Sequence, residues 1–141
     1  MWCNGNNKPR AYVNGRAYKS GIIERRDQLL DIIVNKSKKT IAILTGDEHN
    51  YSLLKISNKM NRYPQQYKHK KLKLSRQICQ INNGAAGAPY YAKEITPWMK
   101  HLQNFSIQNA LVLIDVDGLK VNVRVINPDT EELIDEYKLN K

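Results

Sequence analysis

The chain has 141 residues, 41% of them hydrophobic and 26% charged, a balance that suits one globular domain and excludes wholesale disorder. Its apolar runs, such as Thr40–Leu44 and Ala110–Ile114, are too short for a membrane-spanning helix. Lysine and arginine number 23 against 13 acidic residues, a net charge of +10 that points to anionic partners, nucleic acid among them.

Residues 1–20 are rich in Asn, Gly and Lys without periodicity and read as loop; the opening MWCNGNNKPR has no apolar run, so no export signal is visible in it and the compartment stays open. Cys3 and Cys79 are too few for a disulfide framework and wrongly spaced for zinc, so both read as free thiols. From Gly21 onward, Ile22, Ile23, Leu29, Leu30, Ile32 and Ile33 form an apolar stripe that predicts a helix over 22–36. Glu24 and Asp27 near its start, with Lys36, Lys38 and Lys39 at its end, complement the helix dipole. Thr40–Leu44 is short and continuously apolar, the pattern of a strand buried on both faces. After the polar cluster Thr45–Asn50, a second strand is expected over Tyr51–Ser57.

Residues 58–75 read as a long basic loop carrying Tyr63, Pro64 and Tyr67. No acidic residue occurs between Glu48 and Glu94, whereas the C-terminal stretch is acidic. Such asymmetry fits either a solvated loop or a basic face set against an anionic ligand. Arg76–Ile81 predicts a strand that runs into the small-residue turn Asn82–Pro89, where backbone can approach backbone closely. Residues 90–108 read as irregular, with a helical turn around Trp98–Leu102. Leu111–Val116, an Asp117-Gly118 turn and Leu119–Ile126 predict a hairpin with Val121, Val123 and Val125 on one face. Leu133–Leu139 follows as a third strand, although its pattern also admits a helix.

The segment with the most chemistry is Gly46–Asn50. A strand feeding a glycine and then Asp47, Glu48 and His49 sets carboxylate and imidazole groups at the carboxyl end of a sheet, where open α/β sheets place their sites. In extended chain Asp47 and His49 point to one side and Glu48 to the other, so the pair can reach two metal ions side by side. The same pattern also arises in an ordinary surface turn.

The order Arg26-Asp-Gln-Leu-Leu30, Ile41-Ala-Ile-Leu-Thr-Gly-Asp-Glu-His-Asn-Tyr51, Ile81-Asn-Asn-Gly-Ala-Ala-Gly-Ala-Pro-Tyr90 and the Leu111–Val125 hairpin resembles the C-terminal part of calcineurin-like metallophosphoesterases, in their purple acid phosphatase-like branch. The likeness spans roughly residues 22–139. It implies a mixed α/β (α+β) fold, the C-terminal part of a four-layer αββα sandwich, and a hydrolase that acts on a phosphate-ester substrate with two metal ions of the Fe, Zn or Mn type. His49 stands at the family's final metal-binding histidine, and Asp47 stands where the family usually has its other histidine. Asn50 and Tyr51 stand at positions that line the mouth of the family's site. The upstream Asp-x-His, Gly-Asp-x-x-Asp and Gly-Asn-His-Glu or Asp motifs do not occur here. The resemblance therefore implies a single partial domain over 1–141, inactive alone, whose N-terminal half is missing. On that reading the unpaired Ile41–Leu44 strand and the apolar hairpin faces invite aggregation or dimerisation.

Two other classes fit the residues. One is a basic module that binds polyanions or nucleic acid, with Tyr63 and Tyr67 interleaved among lysines as stacking groups. The other is a degenerate scaffold without catalytic function.

Overall fold

The computed structural model describes residues 12–13, 16–17, 21–65 and 67–139. The loop expected over 1–20 falls mostly outside these residues; within them, β1 (Tyr12–Val13) and β2 (Arg16–Ala17) pair as a short antiparallel ladder. Cys3 lies outside the described residues.

Helix α1 (Ile22–Leu30) continues without a break into a π-helical turn over Asp31–Lys36, so the expected helix has the expected length. Gly21 enters it at φ 78, a left-handed geometry that glycine adopts at little cost. At the other end the Ser37 amide closes the widened turn on Ile32 O at 2.8 Å. The carbonyls exposed there are collected by one side chain: Arg76 Nη2 donates to Thr40 O at 2.6 Å and lies 3.1 Å from both Ile33 O and Ser37 O. A guanidinium placed at the negative end of the helix suits its dipole.

The central sheet has the order β3-β5-β4-β6, built from β3 (Ala42–Thr45), β4 (Tyr51–Ile56), β5 (Ile78–Asn83) and β6 (Leu102–Ser106). β3 and β5 are parallel, while β4 runs antiparallel to both β5 and β6. A second, antiparallel sheet is the meander β7 (Leu111–Asp117), β8 (Lys120–Ile126) and β9 (Leu133–Lys138). Alternation along the central strands splits the core into two. Leu54, Ile56 and Ile78 face Ile23, Leu30 and Val34 of the helix, with Met60, Tyr63, Leu74 and Trp98 closing that side. Tyr51, Leu53 and Ile81 face Val121, Val123 and Val125 of the meander. The layers are thus helix, mixed sheet and antiparallel sheet, an α+β architecture.

Three expectations need correction. β3 is an edge strand among the described residues, not one buried on both faces: of the described strands only β5 pairs with it, and Leu44 is 63% exposed. An apolar run signals a strand but carries no information about its place in the sheet. Residues 90–108 are not wholly irregular, because β6 lies among them and pairs with β4 across a bulge at Leu53/Leu54. Its sequence Leu-Gln-Asn-Phe-Ser lacks apolar alternation, so only the pairing reveals it. The strand expected over Arg76–Ile81 is shifted to Ile78–Asn83, since Asn82 and Asn83 find side-chain partners inside the fold. The hairpin and the third strand of the meander form as expected. Among the described residues no helix is long and apolar enough to cross a membrane.

Candidate functional site

β3 and β4 are consecutive in the chain but not neighbours in the sheet, because β5 lies between them. Gly46–Asn50 must therefore bridge two inter-strand spacings, about 10 Å, over the end of β5. That crossing explains the local chemistry. Asn82, 3% exposed, donates from Nδ2 to Asn50 O at 2.8 Å and Glu48 O at 3.0 Å. Thr45 Oγ1 lies 3.2 Å from Asn82 Oδ1, and the Gly84 amide donates to Asn50 O at 3.2 Å. A Cβ at Gly84 would sit 2.2 Å from Glu48 O, so the crossing chain leaves room for glycine only. Asp47 takes the left-handed conformation at φ 73, which aspartate tolerates better than most residues.

On this platform His49 is held firmly. Its Nδ1 lies 2.6 Å from Pro89 O, its own carbonyl accepts from the Tyr91 amide at 3.1 Å, and its ring stacks on Tyr91 with centroids 4.3 Å apart and planes 5° from parallel. A carbonyl only accepts, so Nδ1 carries a proton; in the neutral ring Nε2 is then the nitrogen with the lone pair. Oriented this way, an imidazole can accept a proton or ligate a cation. The other residues at the turn are structural. Glu48 is 4% exposed and Asn50 is fully buried, with Asn50 Nδ2 3.3 Å from Glu48 Oε2.

Tyr51 is likewise fully buried between the two sheets, where its hydroxyl donates to Asp135 Oδ2 at 2.6 Å. Burial, then the Asp135 carboxylate, push its phenol far above the ordinary tyrosine range. Asn50 and Tyr51 therefore brace the turn from within and do not line an open mouth. Asp47 is exposed beside His49 in sequence. Among the described residues no group of three or more His, Cys, Asp or Glu side chains is arranged to hold a metal ion. Asp47 and His49 alone are too few to make up a dinuclear centre within the described residues. Cys79 is a free thiol whose pKa burial raises, which leaves it a poor nucleophile. The residues that sequence reasoning passed over are Asn82, Gly84 and Tyr91. The Asn82–Pro89 turn signalled Asn82 and Gly84 as a place of close backbone approach, and nothing in the sequence singled out Tyr91.

The basic segment is the second candidate. It has no regular structure, yet its two ends are fixed. Arg62, 4% exposed, donates from Nη2 to Leu72 O at 2.5 Å, and Asn58 brackets Leu74 with two 2.8 Å bonds. Tyr63 OH donates to Asp27 Oδ2 at 2.6 Å and accepts from the Leu72 amide at 2.7 Å. Between these anchors Lys68, His69, Lys70 and Lys71 project into solvent. Tyr67 stacks on Tyr63 at 5.0 Å, and His69 meets the edge of Tyr67 at 5.4 Å.

Asn35 ties the loop to the helix end through Lys73 O and the Ser75 amide. The cleft formed there, about 480 Å³, is lined by Val34, Asn35, Lys38, Thr40, Ile41, Ser75, Arg76 and Gln77, with no carboxylate among them. A neighbouring cleft of about 580 Å³ is of mixed sign, with Glu24, Asp27 and Asp31 opposite Lys70, Lys71 and Lys73. Comparison with protein families, with curated proteins and with solved structures finds no match for this chain.

Proposed function

We propose that the protein is a polyanion-binding module whose natural ligand class is single-stranded nucleic acid. The observation that carries this reading is the cleft of Lys38, Ser75, Arg76 and Gln77, lined by no carboxylate and joined to the end of the lysine-bearing loop by the Asn35 bonds to Lys73 O and the Ser75 amide. Lysines on such a surface neutralise phosphates and release counterions, while Tyr67 and His69 offer rings on which bases stack. The net charge of +10 adds long-range attraction. The test is anisotropy of a fluorescent single-stranded oligonucleotide over a salt series. Binding that weakens steeply with salt, and a shallower slope when Lys38, Lys68, Lys70 and Lys71 become alanine, are expected. Binding indifferent to salt or to those four substitutions sinks the reading.

A second reading is favoured by two observations of its own. The α+β order of helix, sheet and sheet is compatible with part of an αββα sandwich, and His49 lies at the carboxyl ends of parallel β3 and β5 with Nδ1 held by Pro89 O. On this reading the chain contributes Asp47 and His49 to a phosphoesterase centre completed elsewhere. It predicts metal uptake that His49→Ala abolishes; a chain that binds no Mn²⁺ or Zn²⁺ when titrated alone or with its natural complement removes it.

A further inference from the structure

We propose that β7 is a self-pairing edge through which two copies of the chain join their antiparallel sheets into one. β7 is the outer strand of its sheet, and no described strand pairs with its other side. The turn before β8 contains only Gly118 and Leu119, with Gly118 at φ 58, so Asp117 and Lys120 form the first pair of a two-residue hairpin. That pair exchanges both backbone hydrogen bonds, and the alternation then runs undisturbed to Leu111↔Ile126. It follows that Asp117, Asp115, Leu113 and Leu111 spend their backbone groups on β8. Val112, Ile114 and Val116 point theirs at the open edge.

The side chains support the same partner. Natural edges are guarded by charged side chains, lysine above all, by proline, a bulge or short length. β7 has seven residues in regular register, with neither lysine nor proline, and its two charges, Asp115 and Asp117, lie on the outer face, away from Val112, Ile114 and Val116. Val112, Ile114 and Val116 lie on the face of Val125, Val123 and Val121, yet Ile114 is 41% and Val116 64% exposed. The apolar inner face thus runs out to the edge and stops uncovered.

Pairing two copies antiparallel about Ile114 uses every outward backbone group. It sets Ile114 against Ile114 and Val112 against Val116 on the inner face, all β-branched residues suited to cross-strand contact. On the outer face it sets Asp115 against Leu113 and Asp117 against Leu111, so no carboxylate opposes another. Shifting the centre to Asp115 would oppose two carboxylates, and shifting it to Leu113 would leave Val116 beyond the ladder of strand residues. Self-complementarity of this kind identifies the occupant as a second copy of the chain in two-fold symmetry.

Sedimentation velocity of the full chain over a concentration series, with amide exchange by NMR, tests the proposal. A monomer–dimer equilibrium is expected, with the Val112, Ile114 and Val116 amides gaining protection as concentration rises. The Leu113 and Asp115 amides, already bonded to β8, are expected to change little. Ile114→Pro removes an outward N–H that serves no bond in the ladders among the described residues, a place where edge strands accept proline, and is expected to abolish dimerisation with an unchanged thermal melt. Should that variant not fold, Ile114→Lys at the same exposed position replaces it. A chain that stays monomeric at millimolar concentration overturns the proposal. So does a dimer in which those three amides exchange freely, which would point to another surface or to a different strand as the natural occupant of this edge.

Discussion

The basic loop and the β7–β8 hairpin invert the usual relation between regular structure and burial. The loop has no repeating backbone pattern, yet Met60, Arg62, Tyr63 and Leu74 are each less than a tenth exposed. The hairpin has an unbroken ladder, yet Leu111, Leu113, Ile114, Val116 and Leu119 are all more than a third exposed. The loop is held by side chains that bond to backbone, and the hairpin by backbone that bonds to backbone. A loop of the first kind fails when one side chain is changed. A hairpin of the second kind tolerates most side-chain changes and is vulnerable at its open edge.

The sharpest way to break that contrast is at Asp27. It forms a 3.0 Å ion pair with the buried Arg26 and accepts from Tyr63 OH. The Arg26 and Arg62 guanidiniums both lie near the Tyr63 ring, at 5.2 and 5.3 Å. Asp27→Asn is expected to cost about 3–5 kcal/mol in urea denaturation, the range for breaking a buried ion pair. Gly84→Ala comes next. A methyl cannot fit against Glu48 O, so a loss of about 1–3 kcal/mol is expected. It should be accompanied by shifted NMR signals of His49 and Tyr91 as the crossing chain moves. Tyr63→Phe removes one hydroxyl that serves two partners, with an expected loss of about 1–2 kcal/mol. Faster amide exchange at Leu72 would mark the loosened anchor.

The smallest effect separates the loop's tyrosine from ordinary ones by pH. Burial and the Asp27 hydrogen bond push the Tyr63 phenol from 10.0 up to about 12. Burial pushes Tyr137 up to about 12 as well. A raised folded-state pKa favours the neutral form in the fold, so the associated stability is complete below pH 10 and is lost as pH rises toward 12. Tyr63→Phe should flatten part of that alkaline decline. An unchanged slope would place the loss at Tyr137 or Tyr51.

Much of this fold was legible from the residues because it rests on local signals. The helix announced itself through its apolar stripe, and the meander through Val121, Val123 and Val125 with the Gly118 turn. What stayed hidden depends on partners distant in the chain. β6 owes its existence to pairing with β4, and the edge position of β3 follows from where β5 inserts. At the candidate site, His49 could be singled out by residue type. Its Nδ1 partner Pro89 and stacking partner Tyr91 lie some forty residues further along and carry no signal of their own. Asn50 and Tyr51 show the converse: side chains that a motif places at a mouth are used by this fold as internal braces.

The insertion of β5 also sets the order in which the molecule can form. Thr45 and Tyr51 are close enough in sequence to begin a hairpin within microseconds. The native register instead gives Thr45 to Asn82 and Tyr51 to Asn83. A rapid local pairing of β3 with β4 is thus a dead end that must reopen before the later strand can enter. Refolding should be governed by that late arrival, and in a chain emerging slowly from the ribosome β3 and β4 are both exposed before residues 78–83 are made, so the wrong pairing has time to form.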